Sequence, residues 1–219
     1  MAWNLNAIEA RVLGCLIEKQ VATPDVYPMS LNSLALACNQ KSNRAPLMGL
    51  DEATVIRALD GLRDRKLASM ISLAGSRVTK YEHQADSTLR LEKQDLVLLC
   101  ELLVRGPQTL AELRAHTERL WMFADVAEVE KRVNAMMAEP EPLMLLLPRQ
   151  PGRKEQRYAH LLCGAVSPEE LPAAAAEPAR LVVQAENERI AKLESEVAAL
   201  REECNRLQTQ FADFRRQFE

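Results

Sequence analysis

Cationic and amide side chains dominate the residues of this chain that could do chemistry. A nine-residue phrase occurs twice, as Gly75-Ser-Arg77-Val-Thr-Lys80-Tyr81-Glu-His83 and Gly152-Arg153-Lys154-Glu-Gln-Arg157-Tyr158-Ala-His160. Glycine, two basic positions, tyrosine and histidine coincide at a constant offset of 77 residues. Arg149 and Arg153 make the second copy the more basic. Guanidinium and ammonium groups on a turn can bind phosphate oxygens, which supply most of the affinity of proteins for nucleic acids. A second group, Asn39-Gln40-Lys41-Ser42-Asn43-Arg44, sets amides that can pair with an adenine edge beside cations that can bind phosphate. Each group has a plainer role open to it. Basic residues keep an edge strand soluble, and Asn, Ser and Gln shape a long connection by local hydrogen bonds.

Other chemistries lack their residues. His83, His116 and His160 stand at no metal-ligand spacing, and no nucleophile elbow, P-loop or H-E-x-x-H motif occurs. Neither an enzyme, a metal nor a cofactor is expected. The net charge of −3 gives no global attraction to nucleic acid, so any must come from local patches. Five cysteines lie far apart without C-x-x-C pairing, which suits small buried hydrophobes in a reducing cytosol. No leader and no apolar run near ~18 residues is present, so a cytoplasmic protein without a membrane span is expected.

The elements that must position these groups follow from periodicity. Asn6 with Glu9 opens a helix whose apolar stripe is Leu5, Ile8, Val12, Leu16 and Ile17. Thr23-Pro24 and Tyr27-Pro28 end it. Ser30 caps a second helix and Asp51 a third, with Val55, Leu59 and Leu62 inward. Leu67 to Leu73 and Val78 to His83 then form a hairpin around Gly75. The same order returns from Leu91 onward, with Thr109 and Asp125 as caps and Val129, Val133 and Met136 inward. Repetition of this kind marks two related modules. Three helices followed by a basic hairpin is the winged helix-turn-helix plan. The outward face of the third helix should show Ala53, Thr54, Arg57, Ala58, Asp60, Gly61, Asp64 and Arg65. Its second-module counterpart should show Ala127, Glu128, Lys131, Arg132, Asn134, Ala135, Ala138 and Glu139, and on both faces the charges cancel.

The stretches LNAIEARVLGCLIEKQ, YPMSLNSLALACNQKSNRAP and AGSRVTKYEH resemble the YceH-like family of uncharacterised bacterial proteins, most specifically at Ala37 to Arg44. The resemblance implies tandem winged-helix domains and brings no activity with it.

Beyond a Pro- and Ala-rich linker the tail carries heptads. Ile190, Val197, Cys204 and Phe211 fall at a, and Leu193, Leu200, Leu207 and Phe214 at d, which predicts a left-handed coiled coil. It would pair two chains or fold back on its own. The expected fold is thus mainly α with small β-hairpins: tandem winged helix-turn-helix domains at 1–86 and 87–163, a linker at 164–180 and a coiled-coil helix at 181–219. The expected activity is DNA binding by a homodimer, in a regulatory or architectural role. Lys41, Asn43, Arg44, Arg57, Arg77, Lys80, Arg149, Arg153, Lys154 and Arg157 are the candidate contacts. The alternative is a protein-interaction adaptor that binds no DNA.

Overall fold

A computed structural model of the chain describes residues 3–72, 78–138, 140–149 and 155–164. Arg77, Arg153 and Lys154, the linker beyond Gly164 and the entire predicted coil lie outside the described residues. The described part is mainly helical with small antiparallel sheets.

In the first half, α1 (Ala7–Ala22) starts at a reciprocal capping box. The Asn6 Oδ1 atom accepts from the Ile8 and Glu9 amides at 2.9 Å, and Glu9 accepts from the Asn6 amide at 2.8 Å. A single 3-10 turn at Pro24–Val26 leads to β1 (Met29–Ser30), a strand too short to show in the sequence pattern. Ser30 caps α2 (Leu31–Cys38) and Asp51 caps α3 (Glu52–Asp64), as predicted. β2 (Ala68–Ile71) and β3 (Lys80–His83) follow, and the antiparallel sheet runs β1-β3-β2.

A short helix that the periodicity does not reveal, α4 (Ala85–Leu89), connects to the second half. There α5 (Lys93–Arg105), α6 (Leu110–Thr117) and α7 (Val126–Met136) precede β4 (Met144–Leu146) and β5 (Tyr158–His160). Thr109 and Asp125 occupy their predicted capping positions.

The closing residues of the repeated phrase, Tyr81 to His83 and Tyr158 to His160, occupy equivalent places in the two sheets. Tyr81 is flanked by Met29 on one side and Met70 on the other. Tyr158 is flanked in the same way by Gln108, through an isolated bridge, and by Leu146. His83 lies opposite Ala68, and His160 opposite Met144. A one-residue slip would reverse every side chain in a strand, so matched register is a demanding form of repetition.

Val55, Leu59 and Leu62 of α3 and Val129, Val133 and Met136 of α7 are buried, as their spacing predicts. Two helices depart from the amphipathic expectation: α1 is buried at every position from Glu9 to Glu18, and α5 at every position from Asp95 to Val104. A surface helix leaves a polar face to water, but α1 packs on α2 and α3 and also on α5. Both halves therefore lie within one compact unit. α1 and α5 approach closely at Gly14, where a Cβ would stand 2.8 Å from Val104 Cγ1 and 2.9 Å from Leu103 Cβ.

The predicted outward face of α3 needs correction. Ala58 is buried, and a Cβ on Gly61 would lie 2.0 Å from Glu9 Oε1. Arg65 donates to Glu9 at 3.2 Å and to the Trp3 carbonyl at 2.9 Å. The small residues and Arg65 thus serve packing against the start of α1. Ala53, Arg57, Asp60 and Asp64 remain exposed. Among the described residues no helix is long and apolar enough to cross a membrane.

Candidate nucleic-acid interface

The connection from α2 to α3 is held in shape by its own side chains. The amide of Asn39 brackets the loop: Nδ2 donates to the Leu50 carbonyl and Oδ1 accepts from the Leu50 amide, both at 2.8 Å. Asn43 adopts a positive φ of 59°, a conformation Asn tolerates better than most residues. The turn it makes sends Arg44 inward.

Arg44 is buried, so the expectation that it faces nucleic acid gives way to an internal role. Its Nε donates to the Ala37 carbonyl at 3.1 Å and its Nη2 to Gln40 Oε1 at 3.0 Å. Both terminal nitrogens grip the carboxylate of Glu18 on α1, one of them at 3.3 Å. Neither side chain of this pair is exposed to solvent. Two desolvated charges are stable together only with bidentate geometry and few unmet hydrogen bonds, and the loop supplies both. Burial alone pushes the Glu18 carboxyl up, but hydrogen bonds and charge from Arg44 and Arg119 outweigh it and hold the group below its ordinary range.

The second half completes the cluster. Arg119 Nη2 bridges Glu18 at 2.6 Å and Glu101 of α5 at 3.1 Å. Arg105 donates from Nε to Glu101 at 2.7 Å and from Nη2 to the side-chain oxygen of Asn43. The Ala45 amide donates to the Val104 carbonyl at 2.9 Å, tying the loop to α5. Lys19 stands 3.7 Å from Glu18 and 3.5 Å from Gln40.

The layering of this cluster decides what it can do. Both carboxylates are fully buried, whereas the side chains of Lys19, Arg105 and Arg119 are 16%, 20% and 34% exposed. Lys41 is exposed on the same loop. An approaching anion therefore meets cations first. Lys19, Lys41, Arg44, Arg105 and Arg119 set five positive charges against the two of Glu18 and Glu101. That local excess of three arises in a chain whose net charge is −3.

Four of the remaining candidates, Arg57, Lys80, Arg149 and Arg157, lie among the described residues. Arg57 is exposed on α3 and donates to Thr54 Oγ1 at 2.8 Å. Lys80 is half-buried on β3, and Arg149 is exposed beyond β4. Arg157 turns back on its own half, donating to the Pro107 carbonyl at 2.6 Å and to Glu112 at 2.7 Å. Its charge is neutralised there, which corrects the expectation of a free contact from the hairpin. The structure thus gathers Lys41, Asn43 and Arg44 into one cluster, whereas Arg157 pairs within its own half. Among the described residues no group of three or more His, Cys, Asp or Glu side chains could hold a metal ion.

Sequence reasoning missed Lys19, Glu18, Glu101, Arg105 and Arg119. Glu101 had a signal: it is the sole charge in the apolar run Leu96 to Val104, and a charge embedded in such a helix must be paired inside. Arg119 had none, because it lies between elements and meets Glu18 across 101 residues of chain.

Residues 5–153 match a family model described as a protein of unknown function, DUF480. A UPF0502 protein of Geobacter metallireducens is 56% identical over 216 residues, covering 98% of each chain. A UPF0502 protein of Geobacter sulfurreducens is 54% identical over 217 residues, again covering 98% of each. One from Vibrio vulnificus is 47% identical over 214 residues, covering 95% of this chain and 97% of the relative. The chain belongs to the DUF480 family of uncharacterised bacterial proteins, the group to which the resemblance at Ala37 to Arg44 pointed.

Proposed function

We propose that this protein binds duplex DNA as a tandem winged-helix protein, chiefly through phosphate contacts, in a regulatory or architectural role. The order of helices and strands in each half supports the winged-helix assignment. The observation that carries the DNA reading is the layered cluster between α1, α5 and the α2–α3 loop, with Lys19, Lys41, Arg105 and Arg119 at its rim over two buried carboxylates. Phosphate contacts position a protein on the duplex without reading sequence. The mixed charges exposed on α3, Arg57 among Asp60 and Asp64, fit modest sequence preference. Basic residues of the hairpins supplement the rim, and the heptads of the tail pair two chains, each of which carries two such modules.

Charge reversal at the rim tests this. Lys41→Glu leaves the buried network untouched and should weaken binding to random duplex about tenfold at low salt, with the same loss on every sequence. Unchanged affinity would remove the loop from the interface. Deleting residues 180–219 should give folded monomers by light scattering, and a truncated protein that stays dimeric would reject pairing through the tail.

A second reading, a protein-interaction adaptor, has its own support. Leu36 and Leu47 are 65% and 64% exposed in or after α2, and Met122 is 79% exposed between α6 and α7. Large apolar side chains left in water between the second and third helices of each half suit a protein partner better than phosphate. Pull-down from nuclease-treated lysate separates the two. A stoichiometric protein partner together with no affinity for duplex would favour the adaptor.

A further inference from the structure

A cleft of about 330 Å³ opens where the end of α1 meets α4 and the start of α5. Gln20 and Val21 line it from α1, Asp86 from α4, and Lys93 and Leu96 from α5, with Leu91 between the last two helices. Its volume lies at the small end of the range for ligand sites, about 300–1,000 Å³. The turn after α4 sets the wall. Arg90 takes a positive φ of 55°, and the Leu91 amide donates to the Asp86 carbonyl at 3.0 Å. This left-handed cap ends α4 and leads the chain into α5, so Asp86 and Lys93 line one cleft from two helices.

Hydrogen bonds behind the wall orient one of its polar groups. The Ala85 amide donates to His83 Nδ1 at 3.2 Å, so the neutral imidazole carries its proton on Nε2. Burial pushes His83 below its ordinary range, which keeps the ring neutral at pH 7. Nε2 stands 2.7 Å from Gln20 and donates to its Oε1 atom. Gln20 is thereby fixed with its NH2 group left to donate, and among the described residues nothing accepts from it. Lys93 lies 5.8 Å over the Trp121 ring, and neither it nor Asp86 belongs to an ion pair among the described residues. Val21, Leu91 and Leu96 supply aliphatic surface that continues into the core.

We propose that this cleft binds an aliphatic α-amino acid. Lys93 and the Gln20 amide take its carboxylate, Asp86 takes its ammonium group, and Val21, Leu91 and Leu96 receive its side chain. Charges of both signs, each without a protein partner, select a ligand that carries both. A simple organic anion would leave Asp86 unanswered, and a simple amine would leave Lys93 so. A few placed polar groups on an apolar wall is the usual composition of a small-molecule site. The walls come from both halves of the chain, α1 and α4 on one side and α5 on the other. The inference does not depend on DNA binding.

Isothermal titration calorimetry of the full-length protein with leucine, isoleucine and valine tests this. At least one should bind with a dissociation constant below about 1 mM. Analogues of the tightest binder that lack its ammonium group or its carboxylate (for leucine, 4-methylpentanoate and 3-methylbutylamine) should each bind at least about tenfold more weakly. Asp86→Asn should weaken the amino acid about tenfold and leave the analogue without an ammonium group unchanged. Lys93→Met should weaken it to a similar degree and leave the analogue without a carboxylate unchanged. Asp86 and Lys93 are both exposed, so circular dichroism should show each variant folded as the wild type is. No saturable binding of any of the three amino acids up to about 10 mM would overturn the proposal. So would an analogue lacking the ammonium group that binds as tightly as its parent, or an amino-acid affinity unchanged in both variants.

Discussion

Replacing Glu18 by glutamine removes one charge and almost no volume, so its effect isolates the electrostatics of the seam. Arg44 would be left with a side chain that has no solvent exposure and no carboxylate partner. Removing one member of a buried pair costs about 3–5 kcal/mol, because the remaining charge stays desolvated. At about 2–4 °C per kcal/mol for a protein of this size, the melting temperature should fall by roughly 6–20 °C. Glu101→Gln gives the internal comparison. Its partners Arg105 and Arg119 have side chains 20% and 34% exposed, so water can replace the lost carboxylate. A loss of about 1–3 kcal/mol is expected there, the range for a hydrogen bond to a charged group. Differential scanning calorimetry of the wild type and both variants, with circular dichroism to check helix content, makes the comparison. A Glu18→Gln protein melting within about 2 °C of wild type, or one more stable than Glu101→Gln, would refute the account of the pair.

Three further perturbations probe other parts of the structure. Gly14→Ala gains about 1 kcal/mol of helix propensity but forces a methyl group against Val104 and Leu103, an overpacking cost of about 1–3 kcal/mol. Urea unfolding should show a net loss of up to about 2 kcal/mol, and a stabilised variant would mean the helices separate easily. Asn39→Ala removes both bonds to Leu50, at a cost of about 1–3 kcal/mol. Trypsin should then cleave after Lys41 faster, and an unchanged rate would show that the bracket does not hold the loop. Burial holds the His160 imidazole down to about 4, below the unfolded value of about 6.5. The unfolded chain therefore takes up the proton first, so this contribution to stability is complete above about pH 6.5 and declines as pH falls toward 4. His160→Phe should flatten that decline in urea titrations at several pH values, and an equally steep decline would contradict the burial.

The caps and core stripes were legible because they are local. Asn6 with Glu9, Ser30, Asp51, Thr109 and Asp125 each satisfy amides within three residues, so spacing alone located them. The closing Tyr and His of the repeated phrase also correspond in space, since Tyr81 and Tyr158 occupy matched register in separate sheets. What failed was the assignment of polar residues to solvent. An amphipathic pattern assumes one buried face, and α1 has neighbours on both sides. Glu18 and Arg11, polar residues that would otherwise mark an outer face, are therefore interior. Arg44 resembled a surface cation in a polar loop until its partner appeared 26 residues earlier in the chain. Ala58 and Gly61 suggested a bare helix face, yet they are small because α1 passes over them. Each error has the same physical source. Contacts between elements distant in sequence decide which polar group meets water, and no periodicity encodes them.

The central claim is that the rim between α1, α5 and the α2–α3 loop binds the DNA backbone. Fluorescence anisotropy of the full-length protein on random-sequence duplex across a salt series tests it most directly. Four rim cations engaging phosphates should give a slope of log affinity against log salt near −3 to −4, from about −0.9 per neutralised phosphate. A dissociation constant weaker than about 10⁻⁴ M at low salt, or a slope near zero, would contradict the claim.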